Sequence, residues 1–108
     1  MTLIHQVEHC HSMADVRSHI DALDERIVAL IAERSGYVAQ AARIKQDASQ
    51  VHDQARIDFI VERVKAMATE QGAPEAVIEA AYRAMIDASI EFERGEFKRL
   101  RPQLSQES

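Results

Sequence analysis

The sequence predicts an all-α chain of three helices, the first of them long, that pairs with a second copy of itself. Three observations carry that expectation. Only 3 Gly and 2 Pro occur in 108 residues, and Ala, Glu, Ile, Val and Arg dominate, which leaves little material for turns and much for helices. Residues 13–46 contain no Pro and one Gly, and Val16, Ile20, Leu23, Ile27, Leu30, Tyr37, Ala41 and Ile44 recur in alternating steps of three and four. At ~1.5 Å per residue such a helix is roughly 50 Å long, whereas a compact domain of this size has a radius of gyration of about 13 Å, so one chain is too small to cover it.

Each element has its own signals. Residues 1–11 show no clear period and are read as a flexible arm. Ser12, with Asp15 three residues on, has the form of a capping box and starts the first helix near Met13. The polar run 46–54 breaks the pattern. A second helix begins around Asp53, with Arg56, Ile60, Val64 and Met67 on one face. Gly72 suits a left-handed helix end and Pro74 suits the first turn of the next helix. That third helix runs to about Phe97, with Ile78, Tyr82, Met85, Ile86, Ser89 and Glu93 along one stripe. Residues 12–100 thus form one helical domain, and 101–108 read as a frayed tail.

Composition narrows the partners. A formal charge of -5 spread over mixed-sign helices argues against nucleic acid, although a pocket's local field is free to oppose the net charge. No segment reaches the ~20 apolar residues of a membrane span. Cys10 is the only cysteine, which excludes an intrachain disulfide and fits a reducing compartment, and the first residues lack the basic start and apolar run of a signal peptide. A cytoplasmic protein is expected. His5, His9, Cys10 and His11 match no ordinary zinc spacing, so no metal site is expected either.

The informative residues are polar groups on apolar stripes, because burying an unpaired charge costs several kcal/mol and demands a partner. Arg34 occupies the skipped beat in the first helix. Lys45 follows eleven residues later, about 20° beyond three full turns, so both share one face some 16 Å apart and suit the two ends of one small molecule. Arg56 opens the apolar face of the second helix, and Ser89 and Glu93 lie one turn apart on that of the third. Arg17 precedes Arg34 by about 25 Å along the axis, too far to share a small ligand unless a second, antiparallel subunit supplies it. Each residue also has a plainer reading: Arg17 paired with Asp21 or Asp24, Arg34 snorkelling at an interface, Lys45 favouring the helix C-terminus, Asp53 as an N-cap, Arg56 paired with Asp53 or Glu62, and Glu93 paired with Arg94 or Lys98.

Taken together, Arg17, Ile20, Asp21, Leu23, Asp24, Ile27, Leu30, Ile31 and Arg34 in this spacing, then Lys45, then Arg56 opening the next helix, resemble the AroQ-type, all-helical chorismate mutases over roughly residues 13–97. Isochorismate-pyruvate lyases share the scaffold and most of these residues. The resemblance implies an intertwined three-helix homodimer with two sites, each completed by the partner's first helix. It also implies the rearrangement of chorismate to prephenate, a branch-point step of the shikimate pathway toward phenylalanine and tyrosine. That reaction is pericyclic and needs no cofactor; it needs a dianion held in a compact reactive conformer and donors at the breaking ether oxygen.

The resemblance assigns roles residue by residue. Arg34 and the partner's Arg17 bind carboxylates, and Arg56 adds contacts at that end. Lys45 binds a carboxylate and the ether oxygen, Asp53 accepts from the ring hydroxyl, and Ser89 helps orient the substrate. Glu93 falls where many bacterial members carry Gln; a carboxylate has no proton to donate, so Glu93 serves the ether oxygen only when protonated. Ile57 stands where many chorismate mutases have Glu, which is more like the lyases, whereas Asp53 points to the mutases. The loop between Lys45 and Asp53 is one residue shorter than in common members. From outside the enzymes, a non-catalytic helical dimerisation module is the third reading.

Overall fold

A computed structural model describes residues 6–105; His5 and residues 106–108 lie outside the described residues. Helix α1 spans Met13–Ile44, a 3-10 turn spans Ala48–Gln50, α2 spans Gln54–Gln71, α3 spans Glu75–Leu100, and a single turn, α4, spans Pro102–Ser105. The three predicted helices are present, and no strand occurs among the described residues. This last turn falls within residues 101–108, expected from the sequence as a frayed tail.

The helix ends follow local chemistry. Ser12 Oγ accepts from Asp15 N at 3.1 Å, as the capping box requires, but the Asp15 carboxylate reaches back to His11 N (3.2 Å) rather than to Ser12. α1 stops two residues before the expected boundary: Lys45 is its C-cap, with φ -62° and ψ 141°, although the Lys45 N–H still reaches Ala41 O at 2.9 Å. The run after it is not shapeless. Asp47 and Gln50 form a capping box of their own, Asp47 Oδ1 accepting from Ser49 N at 2.8 Å and Gln50 Oε1 accepting from Asp47 N at 3.2 Å. Those contacts to Ser49, its backbone N–H first and its hydroxyl second, hold the Asp47 carboxyl below the usual range. Gly72, at φ 70° and ψ 24°, ends α2 in the left-handed region, and the following Ala73 N–H returns to Ala68 O at 2.8 Å.

α3 is the central element and packs against both α1 and α2. Between them lies a small core of Ala42, Val51, Val61, Val64, Ala68, Ile86 and Phe97. Outside it, Lys65 on α2 draws Glu62, Glu75 and Glu79 within 3.6 to 3.9 Å and ties α2 to the start of α3. The molecule is elongated, 60 × 28 × 19 Å, with a radius of gyration of 17.9 Å. The length comes from the first half of α1, where every residue from 17 to 33 is exposed. Ile20, Leu23 and Ile27, each about half exposed, and Leu30 at 64% form the predicted stripe, and a single chain does not bury it.

Candidate active site

Six sequence-predicted residues converge. Arg34 from the middle of α1, Lys45 from its end, Asp53 and Arg56 from the start of α2, and Ser89 and Glu93 from α3 all line one cleft of about 440 Å³. The register of the first helix explains the first pair, since eleven residues bring Lys45 back to the face of Arg34. The stop at Ile44 and the 3-10 turn then carry the chain round so that α2 begins beside the Lys45 side chain. Arg17 does not line this cleft; it is exposed on the unpacked half of α1 and forms no ion pair with Asp21 or Asp24 among the described residues.

The polar contacts within the cleft are specific. Lys45 Nζ donates to Glu93 Oε2 at 2.6 Å, and Glu93, 7% exposed, is the one buried charged residue among those described. Burial of a carboxylate is tolerable here because an ammonium meets it directly. Glu93 therefore turns to α1, across the helix interface, and not to its neighbour Arg94. Arg94 instead pairs with Glu91. Arg34 Nη1 donates to Ser89 Oγ at 3.2 Å, which fixes one edge of the guanidinium and leaves its other donors for a ligand. Asp53 does cap α2, its Oδ1 accepting from Arg56 N at 3.0 Å, so the plainer reading of Asp53 holds alongside its place in the cleft. The Arg56 guanidinium lies 5.3 Å from the centroid of the Phe59 ring and pairs with neither Asp53 nor Glu62.

Val38, Val51, Ile57, Ile60, Ile86 and Ile90 supply an aliphatic wall. A smaller hollow of about 180 Å³ adjoins, lined by Arg34, Arg56 and Arg63 together with Tyr82. Three guanidinium groups therefore border one end, against two carboxylates in the cleft, of which one is engaged by Lys45 and the other by a helix cap. Such a site attracts an anion of modest size, grips planar two-oxygen groups with arginine, and places an ammonium and a carboxyl at the opposite end.

Residues 16–94, almost the whole helical domain, match the family described as Chorismate mutase type II. The chain belongs to that family. No curated protein sequence matches it. The chorismate mutase match takes in all seven residues singled out from the sequence, Arg17 included, and it agrees with the all-helical architecture. Two contributions fall outside what the sequence reading named. Arg63 sits one turn beyond Arg56–Ile60 on the same side of α2, and its proximity to Arg34 is a matter of tertiary packing. Arg101, beyond the matched segment, binds the end of α1 from the far end of α3. Among the described residues no helix is long and apolar enough to cross a membrane.

Proposed function

We propose that the cleft is the active site of a chorismate mutase, and that it converts chorismate to prephenate by holding the substrate folded and stabilising charge at its ether oxygen. The observation that carries this reading is the convergence of Arg34, Lys45, Arg56, Asp53, Ser89 and Glu93, from three helices, on one cleft of about 440 Å³. Chorismate carries two carboxylates. Arg34, oriented by Ser89, takes one of them; Arg56 contributes at the same end. Lys45 has three N–H donors, so it serves a carboxylate and the ether oxygen while retaining Glu93. Asp53 has a second carboxylate oxygen with which to accept from the ring hydroxyl. As the C–O bond breaks and the new C–C bond forms, negative charge grows on the ether oxygen, and preorganised donors there lower the barrier more than they stabilise the ground state.

The site is completed by a second subunit. The exposed Ile20, Leu23, Ile27 and Leu30 stripe of one protomer packs on its equivalent, and the antiparallel arrangement brings the partner's Arg17 to the carboxylate end. What supports this is the unpacked half of α1 together with the absence of Arg17 from the cleft of its own chain.

A second reading is favoured by one specific observation: Ile57 lines the cleft where a mutase commonly has Glu, leaving Asp53 as the polar group at the ring-hydroxyl end. On that reading the enzyme is an isochorismate-pyruvate lyase. Incubating the purified protein with chorismate and, separately, with isochorismate decides the matter, since prephenate supports the mutase, and salicylate with pyruvate supports the lyase. A third possibility, a non-catalytic dimerisation module, predicts no product from either compound. Arg34→Ala sharpens that contrast: in an enzyme it lowers turnover by about 10²–10³ with the helical circular dichroism unchanged, as expected for loss of one preorganised charge-assisted contact.

A further inference from the structure

We propose that Arg101 is a positioning residue for Lys45: its guanidinium fastens the last carbonyls of α1 and thereby fixes the point from which the Lys45 ammonium enters the cleft. The proposal rests on the reading of Lys45 as a group that touches substrate.

The last carbonyls of a helix lack intrahelical partners, and many helices satisfy them with a left-handed glycine, as α2 does at Gly72. α1 has no such residue at its end. Arg101 takes that part instead, from the far end of α3. Its Nη1 donates to Ala42 O at 3.0 Å, and its Nη2 donates to Arg43 O at 3.2 Å and to Lys45 O at 2.6 Å. Nη1 also donates to Phe97 O at 3.3 Å in α3, and the guanidinium carbon lies 3.7 Å from the centroid of the buried Phe97 ring. A cation placed there also faces the negative end of the α1 dipole.

Phe97 follows Glu93 by one helical turn on α3. The same stretch of α3 and its exit therefore hold Lys45 at both ends, the backbone carbonyl through Arg101 and the ammonium through Glu93 at 2.6 Å. Release of the backbone end lets the last turn of α1 unwind, and the Lys45 side chain then loses its fixed origin. A displacement near 1 Å at a reacting group is worth about 10²-fold in rate. Lysine is a poor substitute for Arg101, because one ammonium does not stack on Phe97 while reaching carbonyls that point in separate directions.

The test compares wild type with Arg101→Lys and Arg101→Ala in the full chain by two readouts: steady-state kinetics on chorismate, and the side-chain ammonium resonance of Lys45 in protein labelled with 15N-lysine, assigned by its loss in Lys45→Gln. Arg101→Lys keeps the charge and the apolar stem, so it is the variant expected to fold if Arg101→Ala does not. In Arg101→Lys the Lys45 resonance is expected to move or broaden toward that of a free lysine, and kcat to fall at least about tenfold while KM changes less than about threefold. A Lys45 resonance that stays at its wild-type position overturns the proposal whatever kcat does, and so does a displaced resonance with unchanged kcat in an enzyme that turns over chorismate. If the wild-type protein converts no chorismate, the mutase reading fails, and the resonance alone decides whether Arg101 positions Lys45.

Discussion

The 2.6 Å contact between Lys45 Nζ and Glu93 Oε2 sets the terms on which both side chains meet a ligand. Glu93 has committed Oε2 to Lys45, so its other oxygen is the one left to face a ligand. A carboxylate has no proton to donate, whereas a Gln amide in its place accepts from Lys45 through its oxygen and donates through its nitrogen. Glu93→Gln is accordingly expected to raise kcat/KM on chorismate; steady-state kinetics beside wild type checks it, and a fall removes this role. Both residues were legible in the sequence because a charge on an apolar stripe is conspicuous. That they would pair with each other was not, since Glu93 had neighbours of opposite charge at Arg94 and Lys98 and only packing chooses among them.

At the scale of elements, helices announced themselves and the joints between them were harder to read. Gly72 was read correctly from its place before Pro74. With nothing within 4 Å of a Cβ built there, Gly72→Ala meets only the conformational cost of a positive φ. It should lower the unfolding free energy in urea by about 1 kcal/mol and leave turnover at saturating substrate unchanged. The segment after Lys45 was read as a break, yet Asp47 and Gln50 stand at capping-box spacing, a signal present in the sequence and eclipsed by the polarity around it. Because the folded state holds the Asp47 carboxyl below its unfolded range, the contribution of this cap is present above about pH 4 and fades as pH falls through the folded value. Asp47→Ala should therefore flatten the acid side of a stability-against-pH curve, measured as urea midpoints at low ionic strength, by a small amount since the group is exposed. The hold of Arg101 on α1 had no comparable signal: its partners lie 56 to 59 residues away, and no periodicity reports a side chain bound to carbonyls.

For the whole molecule, the apolar stripe of α1 was the plainest pattern in the sequence, and it is the part that one chain leaves uncovered. The core of a single chain is made largely of small residues, Ala42, Val51, Val61 and Ala68 among them, which a search for large periodic side chains passes over. Periodicity finds faces that need burial; it does not say whether the covering surface belongs to the same chain. The proposed sharing of the site between two protomers makes a quantitative expectation possible. In a heterodimer of Arg17→Ala and Arg34→Ala chains, one site keeps its own Arg34 and borrows an intact Arg17, while the other lacks both. Mixing the two inactive variants under subunit exchange should restore about a quarter of wild-type activity, half the sites in the half of the dimers that are mixed. No recovery, with exchange verified by mass spectrometry, removes Arg17 from the partner's site. The bare half of α1 also bears on how the protein reaches its native state. A helical segment of that length is marginal in water on its own, so in the dimer proposed above residues 17–33 would gain lasting order on encounter with the second chain. On that proposal assembly is part of folding itself, and a chain made in dilute supply would wait with this segment unformed, open to chaperones and proteases, until a mate arrives.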